Sequence, residues 1–454
     1  MKNKKNENVL TLEERIEQLH LKNSKKNMNL IGQLLVDSRD LTMWDRDTMA
    51  LPRNARKWRK RARNFAQEHI RPLALEADLH PHDYDSRPIL KAAAKKGLQS
   101  LLLPLPVGRT SVPAFLNSTV LNVAVIGEEL ATECGGLTLL IMAHYLGFAP
   151  LQVSGSIRIW LQHMLPLNIK NAFFGSSQSM AYAITEPAAG SDVEHSEGAA
   201  QARLVTTAKK VKGGYLLNGQ KCFISNGAIA DRITVFAKLE GEDIESWTCF
   251  LVKKDMKGFS VGRQEHKMGQ RASDASEIMF DNVFVPEKYV IGKLRSGWAN
   301  NSNVLNYSRP VVASFALGSG RGAFERCLEF CRKTTLGQKR LIDYQDIQLE
   351  LSDMMLSLWS ARTMVWHSAR QFRMYQSASS AAKVFASDTA MKVCNKAMEI
   401  MGDHGYIHAN GVERAWRDAR LTQIYEGTNQ MNRLAIIENF WNAEINNGAT
   451  GYQE

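Results

Sequence analysis

Hydrophobic residues follow a helical period near both ends of the chain. Between residues 49 and 178, stretches such as RNFAQEHIRPLALEAD and TVLNVAVIGEELATE place apolar residues three and four apart, with Pro and Gly between the stretches. We expect the first of these helices to end at Pro72, because proline disrupts a helix interior. From residue 296 the helical period returns, as in SSAAKVFASDTAMKVCNKAMEIM. The pattern predicts helical domains at residues 49–178 and 296–454.

The middle of the chain has a different pattern. In RITVFAKL, Ile233, Val235 and Ala237 fall on one side of an extended strand, and the residues between them fall on the other. SWTCFLV and SEIMFDNVFV are further candidate strands, and GGYLLNGQ and KKDMKGF carry turn residues. The segments between the strands are too short for crossover helices. We therefore predict a β domain at residues 179–295.

Residues 1–48 look like an extension to these domains. Two short amphipathic pieces, LTLEERIEQLH and LIGQLLVDS, are separated by Lys- and Asn-rich stretches. The start of the chain lacks the apolar stretch of a secretory signal and is too acidic for a mitochondrial transit peptide. We see no apolar run long enough to span a bilayer. Six scattered cysteines are typical of reduced, buried thiols. These features predict a cytoplasmic protein without a metal site.

Positive charge is concentrated near the start of the chain. The net charge is +11, and residues 1–100 hold 21 Lys and Arg but only 13 Asp and Glu. The densest run is RKWRKRAR, residues 56–63. Such a run indicates either an anionic partner, such as nucleic acid or a membrane surface, or the solvent-exposed face of a helix. We favour the exposed helix face, and we expect no nucleic-acid partner.

A glycine-rich segment tests the idea of a dinucleotide-binding fold. Gly318, Gly320 and Gly322 follow an apolar run and precede a helical pattern. Their spacing is G-x-G-x-G, whereas the fingerprint of the Rossmann fold is G-x-G-x-x-G within a parallel βαβ unit. We therefore interpret these glycines as small residues that let two helices pack closely.

Three segments carry candidate chemistry. MAYAITEPAAGSD, residues 180–192, ends in a loop whose hydroxyls and backbone N–H groups suit an anion or a polar ring. In KCFISNGAIAD, Phe223 and Ser225 are two apart on a strand, an arrangement that suits a flat heterocycle. IYEGTNQMNR places Glu426 beside a glycine just before a helical pattern. From the residues alone, a surface acid at a helix start explains Glu426 as well as a catalytic base does.

Six motifs in this order resemble the acyl-CoA dehydrogenase family over residues 49 to 442. They are AYAITEPAAGSD, LNGQKCFISNG, MGQRASD, NYSRPVVA, RKT and IYEGTNQMNR. The resemblance implies an α+β multi-domain fold with an N-terminal helical domain, a middle β barrel and a C-terminal four-helix bundle. It also implies bound FAD, an acyl-CoA substrate and a homotetramer or homodimer.

The resemblance assigns a role to individual residues. Glu426 matches the catalytic base that removes the α-proton of an acyl thioester while the β-hydride passes to flavin N5, which gives the trans-2-enoyl product. The matching cofactor residues are Tyr182, Ile184, Thr185, Ser191, Phe223, Ser225, Arg332, Thr334, Gln345, Gly402, Thr428 and Gln430. Of these, Arg332, Thr334 and Gln345 match residues that reach the FAD of a neighbouring subunit. The matching substrate residues are Ser191, Asn306, Arg309, Tyr425 and Gly427.

Other details of the motifs refine these expectations. Some branches of the family place the base just before the arginine of the SRP segment, but Ser308 stands there and cannot serve. Thr335 and Asp403 depart from the usual pattern of the family, and Asp403 adds a carboxylate where a glycine is common. Gly427 has no side chain, which keeps the turn narrow, and Thr428 is a candidate N-cap for the last helix.

Several functions remain open from the sequence. We expect fatty-acid β-oxidation chemistry in which electrons pass to an electron-transfer flavoprotein. The enzyme alternatives are an acyl-CoA oxidase and a dicarboxylic acyl-CoA dehydrogenase, and the latter needs a cation deep in the acyl pocket. A DNA-binding flavoprotein with little dehydrogenase activity is an alternative of another class. The basic N-terminal region also suggests peripheral membrane contact.

Overall fold

The computed structural model describes residues 14–15, 29–35, 41–100, 119–174 and 176–446. The chain divides into two compact units, Met1–Pro52 and Arg53–Glu454. In the first unit, helix α1 spans Leu30–Leu35 and helix α2 spans Met43–Ala50. Thr42 and Asp45 form a capping box at the start of α2, which satisfies two backbone N–H groups. The predicted piece LTLEERIEQLH lies almost wholly outside the described residues.

Six helices of nine or more residues form the first part of the second unit, within the residues that the structure describes. They are α3 Arg53–Phe65, α4 Arg71–Leu79, α5 Arg87–Lys95, α6 Thr119–Ala131, α7 Gly135–Val153 and α8 Leu165–Phe173. A π-helical turn, Ala66–Ile70, joins α3 to α4. The helix therefore continues past Pro72, and our prediction that it ends there is wrong. Pro72 lies in the first turn of α4, where a backbone N–H needs no partner within the helix.

The basic run lies on α3 as an exposed helix face. Ala55, Trp58 and Ala62 point into the core, and most of the Arg and Lys side chains around them point outward. Arg59 and Arg63 pair with the buried Glu129 of α6, with shortest N–O distances of 2.7 and 3.6 Å. Part of the basic run thus serves packing between helices.

Helix α7 corrects one of our sequence expectations. Within the described residues, Gly135–Val153 is long and apolar enough to cross a membrane, with a mean hydropathy of 1.4. However, 78% of its apolar window is buried inside the protein. The helix packs against the strand Met180–Ala183 and the helix Gly297–Lys333, so its apolar surface is used in the core.

An eight-stranded mixed sheet forms the middle domain. Its strands are β1 Met180–Ala183, β2 Thr207–Val211, β3 Gly214–Ser225, β4 Arg232–Leu239, β5 Thr248–Lys253, β6 Phe259–Gln264, β7 Ala275–Pro286 and β8 Val290–Ile291. The order is β6-β7-β3-β2-β4-β5-β8, and β1 pairs with β4. The pairs β1–β4 and β2–β4 are parallel and the others are antiparallel.

Strand β4 is buried on both of its faces. Ile233, Val235 and Ala237 join the core between the strands of the sheet, as their alternation predicts. Phe236, on the opposite face, packs against Trp247 in a second core cluster that includes residues of α7. At β4 the sheet therefore lies against the helices instead of exposing one face to water.

The C-terminal part is again helical. Its helices are α10 Gly297–Lys333, α11 Gln345–Arg370, α12 Gln376–Met401, α13 Val412–Leu421 and α14 Asn429–Asn446. A hairpin of β9 Thr335–Leu336 and β10 Lys339–Arg340 follows α10. The short helix α9 Ser196–Gln201 belongs to the middle domain and precedes β2. A Cβ atom on Gly318 or Gly322 would overlap backbone carbonyls of α6, and one on Gly320 would press on α12. The glycines thus permit close helix packing, as predicted. All six cysteines are free and buried.

Candidate active site

A cavity of about 970 Å³ opens within the second unit. Its walls come from α6, α7, the loop after β1, the end of β3, α10 and the turn between α13 and α14. Most of the lining side chains are apolar, and a few polar groups converge among them. Such a concave, largely apolar site is the usual form of a small-molecule pocket. Nine of our predicted site residues line it: Tyr182, Ile184, Thr185, Ser191, Phe223, Ser225, Tyr425, Glu426 and Gly427.

The turn that carries Glu426 has an unusual backbone. Glu426 has a φ of 56° and Gly427 a φ of 77°, so two successive residues are left-handed. A left-handed conformation is uncommon for a residue with a side chain and persists only where its surroundings enforce it. The Asn432 side-chain amide donates to the carbonyls of Glu426 and Gly427 at 3.3 and 2.8 Å. Lys383 Nζ donates to the Gly427 carbonyl at 2.6 Å. These donors hold the turn so that Glu426 lines the cavity.

Gly427 is required by sterics as well as by its φ value. An added Cβ atom would overlap Oε2 of Glu194 and press on the amide nitrogen of Asn432. Thr428 then starts α14, because the Met431 backbone N–H donates to the Thr428 hydroxyl at 3.2 Å. The predicted N-cap is therefore present. Ser191 binds the same turn, since its hydroxyl accepts from the Thr428 backbone N–H at 3.2 Å.

The carboxyl group of Glu426 has an elevated proton affinity. Burial and, to a smaller extent, the nearby Glu194 raise its pKa to about 7, against the opposing effects of Ser308, Arg309 and Lys383. The Ser308 hydroxyl donates to Oε2 of Glu426 at 2.5 Å. Ser308, which we excluded as the base, thus lies against Glu426 and orients its carboxyl group. A carboxyl group with a pKa near neutral pH suits general base catalysis.

Two buried cations and a second carboxylate support this turn. Arg309 donates to the Glu426 carbonyl at 3.4 Å and to Oε2 of Glu194 at 3.1 Å. Burial lowers the pKa of Lys383 to about 7, although Glu194 and Glu426 oppose that change. Burial also raises the pKa of Glu194, against the effect of Arg309. We name Glu194, Arg309, Lys383 and Glu426 the cavity cluster.

Sequence reasoning found only two members of the cavity cluster. Lys383 had a detectable signal, because it is a lone cation in the small-residue stretch SASSAAKVFAS of α12. Glu194 had none, since it follows the loop motif as an ordinary acid before a helix. The role of Asn432 depends on the backbone carbonyls of a turn six residues upstream, which sequence spacing does not reveal.

Another part of the cavity lining offers a surface for a flat ring. Phe223 is 59% exposed and has a φ of 58°, at an irregularity in the pairing of β3 with β7. The hydroxyls of Thr185 and Ser225 line the cavity beside it, and neither has a hydrogen-bond partner within the described residues. The Tyr182 hydroxyl is used internally, as it donates to Asn301. An exposed ring with two free hydroxyls fits the heterocycle of a flavin.

Eight predicted residues are not part of the cavity lining. Arg309 and Thr428 contact the Glu426 turn from behind it. Asn306 has a buried side-chain oxygen without a hydrogen-bond partner among the described residues, and Gln430 is exposed at the start of α14. The remaining four are Arg332, Thr334, Gln345 and Gly402. Arg332, Thr334 and Gln345 lie where α10 ends and α11 begins, and Gly402 ends α12 with a φ of 57°. Their assignment to a neighbouring subunit's cofactor or to FAD itself stays a prediction.

A carboxyl group of raised pKa and an exposed aromatic ring with two hydroxyls line one cavity, an arrangement that suits a flavoprotein oxidoreductase. Comparison with known families makes the class specific. "Acyl-CoA dehydrogenase, N-terminal domain" matches residues 52–159, the middle domain of the same family matches 181–283, and its C-terminal domain matches 295–440.

Individual proteins agree with the family match. Cyclohex-1-ene-1-carbonyl-CoA dehydrogenase of Geobacter metallireducens is 36% identical over 82% of this chain and 94% of its own. Butyryl-CoA dehydrogenase from Megasphaera elsdenii has a TM-score of 0.79 and 28% identity, with 86% and 99% of the two chains covered. A chain from a structure described as the electron transferring flavoprotein of Acidaminococcus fermentans has a TM-score of 0.78 and 28% identity, covering 86% and 98%.

The chain belongs to the acyl-CoA dehydrogenase family. Its three-domain architecture is that of the family, as the motifs predict. It is an oxidoreductase that acts on a CH–CH bond with a flavin, and the cofactor is FAD.

Proposed function

We propose that this enzyme oxidises the Cα–Cβ bond of an acyl-CoA thioester to the trans-2-enoyl thioester, with Glu426 as the base. The observation that carries this proposal is the Glu426 turn. Its left-handed backbone places a carboxyl group of pKa about 7 at the wall of an apolar cavity. A surface acid at a helix start needs neither the strained backbone nor the buried supporting cations.

Glu426 removes the α-proton of the bound thioester. The α-proton is weakly acidic, so the base must be strong enough to accept it and still be ionised at working pH. Burial provides the proton affinity, and the Ser308 hydroxyl holds one oxygen in place. The carboxyl group holds the proton after the transfer, where the apolar wall favours the neutral form.

The thioester oxygen gains negative charge as the α-proton leaves. The backbone N–H of Glu426 donates to no group within the described residues, so it is available to this oxygen. The Asn432 and Lys383 donors fix the turn, and therefore fix the direction of that N–H. A preorganised donor of this kind stabilises developing charge without reorganisation during the reaction.

Phe223 would hold the flavin ring by stacking, and Ser225 and Thr185 would hold it by hydrogen bonds. The chemistry that bound FAD would supply is acceptance of the β-hydride. We further propose that Arg332, Thr334 and Gln345 contact the FAD of a neighbouring copy in a homotetramer or homodimer. The exposed positions of Arg332 and Gln345, with the half-buried Thr334 near them at the α10–α11 junction, support this. Arg332→Ala should lower FAD retention during gel filtration while leaving the melting temperature of the apoprotein unchanged.

An electron-transfer flavoprotein is the proposed acceptor. The similarity to a chain from a structure described as an electron transferring flavoprotein supports this choice. After reduction by substrate, the flavin should be reoxidised rapidly by an electron-transfer flavoprotein and slowly by air. Rapid reoxidation by oxygen alone would instead identify an acyl-CoA oxidase.

Anaerobic bleaching of the bound flavin tests the reaction. A suitable panel contains butanoyl-, octanoyl- and hexadecanoyl-CoA, cyclohexane-1-carbonyl-CoA and glutaryl-CoA. The ring substrate is included because the similar Geobacter protein is named for a cyclohexene thioester. At least one member should bleach the 450 nm absorbance and yield its enoyl product. If no thioester bleaches the flavin, the proposed reaction is wrong.

A dicarboxylic acyl-CoA is a second candidate substrate, favoured by two cations in the cavity lining. Lys267 and Arg420 both line the cavity. Burial lowers the pKa of Lys267 to about 8, so it is still mostly protonated at neutral pH. A terminal carboxylate would suit it. Lys267→Met should then slow bleaching by glutaryl-CoA but not by butanoyl-CoA; equal rates on both substrates would reject this candidate.

A further inference from the structure

The helical segment from Ile157 to Phe173 has an apolar outer face. It consists of a short helix, Ile157–Ile159, a π-helical turn, Trp160–Met164, and α8. The exposed apolar residues are Ile157 at 67%, Leu161 at 46%, Ile169 at 39%, and Phe173 and the following Phe174 at 79% each. We name these five residues the apolar stripe. Side chains of this kind rarely stay exposed together on a water-facing surface.

The spacing of the apolar stripe keeps it on one side of the segment. Its helical members are separated by four or eight residues, while an α-helix has 3.6 residues per turn. A spacing of four residues therefore rotates the stripe slowly around an α-helix. The π-helical turn holds more residues than an α-helical turn, so it reduces this rotation. The opposite side is already used, because Ile159, Met164 and Leu167 are buried in the core. The apolar stripe therefore lies outside the packing of the segment.

Basic side chains border the apolar stripe. Arg158 and Lys170 lie on the same segment and are exposed. His163 packs edge-on against Tyr289, and Lys253 and Lys288 reach over that tyrosine ring at 5.4 and 5.8 Å. Burial and the nearby cations Arg232, Lys253, Arg158 and Lys288 together lower the pKa of His163 to about 4, and burial has the largest effect. We name Arg158, Lys170, Lys253 and Lys288 the basic flank.

We propose that the apolar stripe and the basic flank dock this enzyme on an anionic bilayer surface. The apolar side chains enter the interfacial region, and the cations bind lipid headgroups while their aliphatic stems stay in contact with apolar surface. The charge of the flank is the reason to choose an anionic membrane over a second copy of this chain, which would bring the same positive charges together. Protruding phenylalanines also need no complementary groove in a bilayer.

Docking through this segment would place the cavity close to the membrane surface. Trp160, within the segment, and Gln152 and Val153, at the end of α7, line the cavity. The Trp160 indole N–H donates to the Leu151 carbonyl at 2.8 Å, which ties the segment to α7. The inference does not depend on the proposed reaction, since lipid binding is measured without turnover.

Vesicle flotation of the FAD-loaded full chain tests the proposal. We expect the protein to float with phosphatidylcholine vesicles that contain 30% phosphatidylglycerol and not with pure phosphatidylcholine. The double variant Phe173→Ser, Phe174→Ser should bind at least tenfold more weakly. Lys170→Glu should weaken binding by about fivefold or more, since each cation near an anionic surface contributes about 1 kcal/mol. Phe372→Ser is the matched control, because Phe372 is 55% exposed but lies between α11 and α12, and it should bind normally.

Other results would overturn the proposal. One is a failure of the wild-type protein to bind anionic vesicles at all, and another is binding of the Phe173→Ser, Phe174→Ser variant as tight as that of the wild-type protein. A smaller oligomer in that variant, measured by light scattering, would show that the stripe joins two copies of the chain. Loss of binding on deletion of residues 1–48, with no effect of the stripe variant, would assign membrane contact to the N-terminal region. Gel filtration and FAD absorbance check that each variant is folded.

Discussion

Two buried groups of charges in this protein each contain two glutamates and two cationic side chains but differ in how these are paired. In the first, Glu128 and Glu129 of α6 meet Arg321 of α10 and Arg362 of α11. We call it the helix cluster. In the second, the cavity cluster, Arg309 binds Glu194, and Lys383 binds the Gly427 carbonyl next to Glu426. The helix cluster is enclosed by packed helices, whereas the cavity cluster opens onto the site.

The pKa values show what the difference in pairing does. Burial alone would raise the pKa of Glu129, but Arg321, Arg59 and Arg63 outweigh it and lower the pKa to about 2. Burial raises the pKa of Glu426 to about 7, because the cations of the cavity cluster bind backbone carbonyls, Glu194 and Ser380 instead of its carboxylate. A carboxylate that is fully paired stabilises the fold, while one left without a cationic partner can accept a proton.

Glu426→Gln should have the largest effect on activity. The amide keeps the size of the side chain but cannot accept the α-proton, so flavin reduction should slow by about a thousandfold or more. Stopped-flow absorbance at 450 nm measures this rate under anaerobic conditions. FAD content and binding of acyl-CoA should match the wild-type protein. Substantial remaining reduction would place the base elsewhere.

Arg321→Met should have the largest effect on stability. It leaves Glu128 and Glu129 buried with fewer cations, and removing one partner of a buried ion pair typically costs about 3–5 kcal/mol. Thermal unfolding of the FAD-loaded protein should therefore show a clear drop in the melting temperature. Arg340→Met is the control, because Arg340 pairs with Asp343 in solvent and should leave the melting temperature unchanged. A small change in the Arg321 variant would mean that the helix cluster contributes little.

Gly427→Ala should disturb the cavity cluster directly. Alanine would have to adopt a φ of 77° and place its Cβ atom against Glu194, so we expect a loss of about 1–2 kcal/mol of stability. Flavin reduction should slow as well, because the Glu426 turn must move. Gly213→Ala is a control for the cost of a positive φ alone, since Gly213 has a φ of 82° and an added Cβ atom would meet nothing within 4 Å. Equal effects of the two substitutions on flavin reduction would argue against a special role for the Gly427 contact.

Glu194→Gln should have the smallest effect, a shift in pH dependence. Flavin reduction by the wild-type protein should increase with pH through about 7 as Glu426 loses its proton. Removing the negative charge of Glu194, and with it the partner of Arg309, lowers the pKa of Glu426. The midpoint should move by about one unit toward lower pH. An unchanged midpoint would show that Glu194 acts only in packing.

The sequence predicted the elements that depend on local pattern. Helical periods and strand alternation located the three parts of the fold, and the motif around Glu426 indicated its turn. The continuation of the helix past Pro72 was missed, because the π-helical turn before α4 places Pro72 in a first helical turn, which the apolar spacing of this segment did not indicate. The parallel pairing of β1 with β4 was also missed, because 48 residues separate Ala183 from Arg232 and include two other strands.

The supporting part of the site was harder to predict for a physical reason. Glu194, Lys383 and Asn432 act on the Glu426 turn through contacts that folding brings together from three separate segments. Each is an ordinary residue in its own local sequence. By contrast, Phe223 and Ser225 are two residues apart on one strand, so strand alternation predicted that they share a site, although it did not predict the irregularity at Phe223.

The most direct test of the account is solvent exchange of the α-hydrogen. The acyl-CoA that bleaches the flavin fastest is incubated anaerobically in D₂O with each enzyme, and deuterium at the α-carbon is measured by mass spectrometry. We expect rapid incorporation of deuterium with the wild-type protein and almost none with Glu426→Gln, although both bind the thioester equally well. Incorporation by Glu426→Gln at the wild-type rate would contradict the account, because another group would then be removing the α-proton.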